Sequence, residues 1–171
     1  MSDTAVAMAN LFDAEYSRLR GLAYVLVGDS HAAEEIVMEA FVKAFASWSR
    51  MRHLEWPAGY LRKIVINLCR GLIRRQRIEY RVNALLEFRK EPRSNEWEAR
   101  QSDARLDLWE AVRRLPERQR SCVVLHYLED LTDAEVAHIL GCSVGTVKTH
   151  MFRARASLER MLGGHLEEVR T

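Results

Sequence analysis

Proline and glycine are scarce in this 171-residue chain, three and eight respectively, and nowhere do apolar and polar residues alternate as in a half-buried strand. So few breakers and no period-two pattern exclude a sandwich or barrel and point to helices. The three cysteines, Cys69, Cys122 and Cys142, are far apart and form no C-x-x-C pair, so there is no disulfide framework, and a reducing, cytoplasmic setting is expected. No apolar run approaches the roughly 20 residues that cross a bilayer. Asp3, Asp13, Glu15, Arg18 and Arg20 interrupt the first thirty positions, so neither membrane insertion nor a secretory signal is predicted. The six histidines lie dispersed, without H-E-x-x-H spacing or a thiol pair, and predict no metal site. A glycine-rich phosphate loop and a serine elbow are equally missing, which leaves an enzyme or a cofactor nothing to rest on.

What is present is an apolar content of 48% and a charged content of 29%, enough for one compact domain or two small ones. The net charge of +2 conceals an uneven distribution. Residues 57–81 carry Arg62, Lys63, Arg70, Arg74, Arg75, Arg77 and Arg81 against Glu79 alone. Residues 144–162 carry Lys148, Arg153, Arg155 and Arg160 against Glu159. Residues 1–47 and 82–110 are acidic on balance. Two separate basic islands suggest two contacts with a polyanion, although a solvated helix face would also account for either.

Apolar spacing is helical almost throughout. Ala33, Ile36, Val37, Ala40, Phe41, Ala44, Phe45 and Trp48 follow i, i+3, i+4 steps over four turns and predict a helix over 31–48. Gly28, Asp29 and Ser30 stop the helix before it, roughly 5–27, and offer caps. Pro57 sits at the first turn of a third helix continued by Leu61, Ile64, Val65 and Leu68. Between about 82 and 103 a polar stretch, Glu91-Pro92-Arg93-Ser94-Asn95-Glu96, reads as a linker with a helical turn around Leu85. Helical spacing resumes at Leu106, Trp109, Val112 and Leu115, and Pro116 opens a helix carrying Val123, Val124, Tyr127 and Leu128. The expected fold is all-α: two small helical domains, 1–81 and 105–171, joined by a charged linker over 82–104.

Residues 131–162 hold the most informative pattern. Thr132 followed by Glu135 is a capping box opening a short helix, whose buried side Ala134, Val136, Ala137 and Leu140 would supply. Gly141 allows the left-handed conformation that ends it, and Ser143 caps a second helix with Val147, Met151, Ala154 and Leu158 inward. A short helix, a glycine turn and a basic helix make a helix-turn-helix, whose second helix enters the DNA major groove. With Val147 and Met151 inward, Gly145, Thr146, Lys148, Thr149, Phe152 and Arg153 face outward. An ordinary helical hairpin is the plainer alternative.

Leu-Pro-Glu-Arg-Gln-Arg (115–120), His-Tyr-Leu-Glu-Asp-Leu (126–131), Val-Gly-Thr-Val-Lys-Thr (144–149) and Arg-Ala-Arg (153–155) resemble region 4 of bacterial sigma-70 family sigma factors, in the extracytoplasmic-function group. Ala-Glu-Glu-Ile-Val-Met-Glu-Ala-Phe-Val-Lys-Ala-Phe (33–45) and Tyr-Leu-Arg-Lys-Ile-Val-Ile-Asn (60–67) are similar to region 2 of the same family. A DNA-binding regulator of the response-regulator output type would account for 131–162 but would leave the region 2-like half unused.

The resemblance implies a non-enzymatic protein that binds core RNA polymerase, directs it to promoters and helps open the duplex. It implies polymerase docking through the helix over 31–48, by Glu34, Glu35, Met38, Glu39 and Val42; Met38 and Val42 are apolar where a solvated face would be polar. It implies a minus-ten site in the third helix, with Tyr60, Lys63, Asn67, Arg70 and Arg74 on the melted strand and the loop 49–56 around a flipped base. Tyr60 stands where relatives commonly carry tryptophan, and Trp48 reads better as core. The resemblance further implies minus-thirty-five contacts from Ser143, Gly145, Thr146, Lys148, Thr149, Phe152 and Arg153, with His150 where relatives often have arginine. Promoter DNA, duplex and melted, core polymerase and a cognate anti-sigma factor are the partners it implies.

Overall fold

In the computed structural model, residues 3–86 and 104–162 are described, and among them there is no strand. Helices α1 (Asp3–Val27), α2 (Ser30–Ala46) and the long α4 (Pro57–Leu86) pack side by side, with one short turn, α3 (Trp48–Met51), between α2 and α4. Helices α5 (Ala104–Arg114), α6 (Glu117–Val123), α7 (Asp133–Leu140) and α8 (Val144–Leu162) form the second half, with a π-helical segment (Val124–Leu128) following α6.

The turns between helices follow from local chemistry. Gly28, at φ +81°, ends α1 with its N–H on the Tyr24 carbonyl at 2.8 Å. Only glycine adopts that conformation without strain, and a Cβ there would also press on Arg113 of α5. Asp29 then caps α2 by accepting the Ala32 N–H at 2.6 Å. The buried stripe of α2 is Ala33, Ile36, Val37, Ala40, Phe41 and Ala44, as its spacing predicts. The helix does not reach Trp48, however. It stops at Ala46, where the Ser47 N–H bonds back to the Ala44 carbonyl at 3.1 Å, and Trp48 opens α3 instead. Trp48 still meets the Phe45 ring edge-on, completing a chain of contacts from Phe12 through Phe41 and Phe45.

In the second half, both halves of the capping box at Thr132 and Glu135 are formed. The hydroxyl of Thr132 holds the Glu135 carboxyl below the usual carboxylate range. Gly141 takes the left-handed conformation, φ 65°, and Ser143 accepts the Thr146 N–H at 3.1 Å to start α8. Val147, Met151, Ala154 and Leu158 are all buried. Three expectations are corrected. In α7 the buried residues are Val136, Ala137 and Ile139, whereas Ala134 is exposed and Leu140 half-buried. The helix after Pro116 is not regular through Leu128: it widens at Val124 into a π turn, which leaves Tyr127 exposed. Helix α4 runs on to Leu86, so the expected linker begins inside a helix and Leu85 belongs to its last turn. Most of 82–104 lies outside the described residues.

Buried side chains of the two halves form one continuous apolar cluster. Burial pushes the thiols of Cys69 and Cys122 up to about 12, in each case mainly through desolvation, while Cys142 is half-buried. Since the thiolate is the reactive form, a thiol reagent at neutral pH is expected to label Cys142 and to leave the other two until the chain unfolds. Mass spectrometry of the folded protein checks this. Rapid labelling of Cys69 would contradict the packing of α4.

Candidate nucleic-acid interface

Burial of one stripe of α8 leaves the opposite stripe free. Lys148, Thr149, Phe152 and Arg153 are exposed together, and Phe152 presents 75% of its surface to solvent. A phenylalanine so exposed on a helix of such regular amphipathicity is not filling the core. Ser143, Gly145 and Thr146 lie at the start of α8, where the first N–H groups point outward and favour a phosphate. Three hydroxyls on this face are partly engaged. The Ser143 and Thr146 hydroxyls share a hydrogen bond at 2.9 Å, and the Thr149 hydroxyl donates to the Gly145 carbonyl at 2.9 Å. Their remaining lone pairs still accept, but only Lys148 and Arg153 among the seven offer a full positive charge. His150 is half-buried; burial, then the charges of Arg118 and Arg153, hold its imidazole below the usual value.

On α4, Tyr60, Lys63, Asn67, Arg70 and Arg74 fall at successive three- and four-residue steps, which places them along one stripe roughly 21 Å long. Lys63, Asn67 and Arg74 are exposed; Tyr60 is half-buried with its ring against the core. Arg70 is engaged in an ion pair with Glu117 of α6. The neighbouring stripe of α4, Leu61, Val65, Ile66, Cys69 and Ile73, is buried. Arg62, counted from sequence among the basic island, belongs with the buried stripe at 2% exposure and offers nothing to a polyanion.

The segment 49–56 is only partly a loop. Its first residues belong to α3, and Met51 is buried. Trp56 folds back over Gly59, where any Cβ would collide with the indole, and its ring lies 6.5 Å from that of His138 on α7. The glycine in Pro57-Ala58-Gly59 is therefore what lets the indole lie down on the helix.

The outward face of α2 is apolar at its centre. Val42 is 63% and Met38 48% exposed, flanked by Glu39, which pairs with Lys43 at 3.2 Å, and Glu35, which faces His31 at 3.4 Å. Glu34 is half-buried and turned to Arg20 of α1 at 3.0 Å.

The two basic islands, separate in sequence, are brought together in space. Arg70 and Arg74 of α4 and Arg153 of α8 line one open cleft of about 330 Å³, with Arg118, His150 and Glu117. Arg118 was missed as a candidate; the run Arg113, Arg114, Arg118, Arg120 ahead of the helix-turn-helix was the available signal. Arg155 donates to the Tyr127 hydroxyl at 3.1 Å and does not line this cleft.

An all-helical chain that joins a helix-turn-helix to a second helical unit with an exposed basic stripe belongs to the class of DNA-binding transcription proteins. Two sequence families match it: Sigma-70 region 2 over residues 11–78 and Sigma-70 region 4 over residues 105–158. The chain is 30% identical over 134 residues to RNA polymerase sigma factor SigV of Bacillus subtilis, covering 78% of this chain and 77% of that one. It is 34% identical over 156 residues to the ECF RNA polymerase sigma factor SigE of Mycolicibacterium smegmatis, covering 89% of this chain and 60% of that longer relative. Its fold is similar to that of the sigma factor RpoE in complex with the anti-sigma factor NepR from Bartonella quintana. The TM-score is 0.71 at 22% identity, over 91% of this chain and 96% of that one. The chain belongs to the extracytoplasmic-function group of sigma-70 family RNA polymerase sigma factors, which direct promoter-specific transcription initiation.

Proposed function

We propose a division of labour within this sigma factor. Residues 1–81, with the remainder of α4, dock core RNA polymerase through Glu34, Glu35, Met38, Glu39 and Val42. The same unit holds the melted minus-ten strand on Tyr60, Lys63, Asn67, Arg70 and Arg74. Residues 105–171 read the minus-thirty-five element with Ser143, Gly145, Thr146, Lys148, Thr149, Phe152 and Arg153, and 82–104 connect the two. The protein does no covalent chemistry of its own, works on DNA in the cytoplasm, and is held in check by an anti-sigma factor. None of the described helices is long and apolar enough to cross a membrane.

The observation that carries the reading is the exposed stripe of α8, where Phe152 and two cations stand beside each other on a helix whose other side is fully packed. Bidentate contact from Arg153 to a base is worth about 1–3 kcal/mol of discrimination, whereas a phosphate contact would weaken all sequences alike. Arg160, nearly two turns further on, is turned back onto its own helix, at 3.3 Å from the Ala156 carbonyl and 3.1 Å from the Ser157 hydroxyl. In run-off transcription with purified core polymerase and a randomised minus-thirty-five library, Arg153→Ala should relax preference at one or two base pairs and Arg160→Ala should change little. If Arg160→Ala reshaped the selected sequence and Arg153→Ala did not, α8 would lie in the groove differently.

A further inference from the structure

The cleft of about 330 Å³ gathers Arg70, Arg74, Arg118 and Arg153 around one carboxylate, Glu117: four positive charges against one negative, a surplus of three. That carboxylate is already committed to Arg70. Among the described residues Arg74, Arg118 and Arg153 make no ion pair at all. The whole chain carries only +2, so the surplus is a local concentration. Like charges collected round one cleft repel each other, and nothing in its wall offsets them. Their field reaches into the wall, where the charges of Arg118 and Arg153 help to hold the His150 imidazole down.

The wall is also short of hydrogen bonds. Gln119 Oε1 and His150 Nδ1, both on residues that line the cleft, are buried without a partner. A buried polar atom left unpaired costs free energy that a ligand can return. Turned over, the Gln119 amide presents an N–H, and the imidazole presents one from whichever ring nitrogen carries the proton. Guanidinium groups meet phosphoryl oxygens with paired N–H donors, and several of them around one space suit linked phosphoryl groups better than a single small anion. The volume lies at the small end of ligand sites, far too small to admit a duplex. No phenylalanine, tyrosine or tryptophan lines the cleft. It therefore lacks the aromatic platform on which the bases of a single strand would stack, and recognition falls to the phosphates.

We propose that this cleft is a binding site for a small polyphosphate, a ligand with two or more linked phosphoryl groups, held by Arg74, Arg118 and Arg153, with Arg70 shared between the ligand and Glu117. Free pyrophosphate and the phosphate tail of a nucleoside diphosphate share that chemistry. Arg70, Arg74 and Arg153 are assigned to promoter DNA above, so ligand and DNA compete for them. This competition rests on the division of labour, whereas the site itself does not.

Isothermal titration calorimetry of the full chain, without DNA or polymerase, tests the site at about 0.1 M salt. The probes are sodium pyrophosphate, adenosine diphosphate and, as a single dianion, sodium sulfate. Pyrophosphate should bind at least about tenfold more tightly than sulfate, and Arg74→Ala and Arg118→Ala should each weaken it at least about fivefold. Both side chains are exposed, so the variants should keep the circular dichroism of the wild type. Arg160→Ala, whose guanidinium rests on its own helix, should bind as the wild type does. Adenosine diphosphate binding as tightly as pyrophosphate would support recognition by phosphates alone, and tighter binding would support the nucleotide as the source. Equal affinity for sulfate and pyrophosphate, or pyrophosphate binding that Arg74→Ala and Arg118→Ala both leave untouched, would overturn the site. Pyrophosphate that binds as expected yet displaces no fluorescein-labelled single strand, at matched ionic strength, would uphold the site and remove only the competition.

Discussion

Alanine at Phe41 is expected to lower stability by about 3–5 kcal/mol, and alanine at the adjacent Val42 to leave it within about 0.5 kcal/mol. Phe41 is 1% exposed and touches the rings of Phe12 and Phe45 at centroid distances of 4.8 and 5.7 Å. Truncation removes both contacts and leaves a cavity between α1 and α2. For a chain of this size the loss corresponds to a fall of roughly 10 °C in melting temperature. Val42 lies one residue on, about 100° further round the helix, and is 63% exposed, so its cost should fall on polymerase binding instead. A Met38→Ala, Val42→Ala double variant should lose about 1–2 kcal/mol of affinity for core polymerase, roughly five- to thirtyfold. Thermal unfolding read by circular dichroism checks the first expectation, and competition for core polymerase by fluorescence anisotropy checks the second. Unchanged core affinity in the double variant would remove the outer face of α2 as a docking surface.

Strand opening should fail in a different pair of variants. Asn67 stands exposed on the stripe of α4 that also carries Lys63 and Arg74, and Tyr60 begins that stripe. Capture of an unstacked base by an aromatic ring is worth about 1–3 kcal/mol, so Tyr60→Ala should reduce open complexes at least fivefold. Asn67→Ala should do the same without the packing loss that Tyr60 incurs, since the Tyr60 ring also rests on the core. Neither residue lies on α2, so binding to core polymerase should persist. Permanganate reactivity of promoter thymines measures the effect, and a premelted bubble should restore part of the Tyr60 defect. Wild-type footprints in both variants would take the minus-ten strand off this stripe.

Local signals in the sequence locate most of the helices and the α8 face, because periodicity and caps act over a few residues. Asp29, Gly141 and the Thr132–Glu135 box each end or begin a helix where their chemistry requires it. The failures share a different cause. Arg62 reads as a surface cation because arginine is seldom buried, and its main partner, Glu129, is 67 positions away. Trp48 keeps the apolar rhythm of α2 although the helix has ended, since a break at Ser47 does not disturb the spacing around it. The nearness of Arg74 to Arg153 depends on how two halves dock, which no local pattern encodes.

The π turn at Val124–Leu128 has a consequence for which kinds of sequence change the protein can absorb. The Glu129 N–H reaches the Val124 carbonyl at 3.3 Å, five positions back rather than four. Each residue of an α-helix turns the chain by about 100°, so removing the surplus residue would swing Glu129 by about that angle, away from Arg62. Substitutions along 124–128 change side chains one at a time, whereas a one-residue deletion would rotate everything that follows. This short segment is therefore constrained by its length more than by its composition.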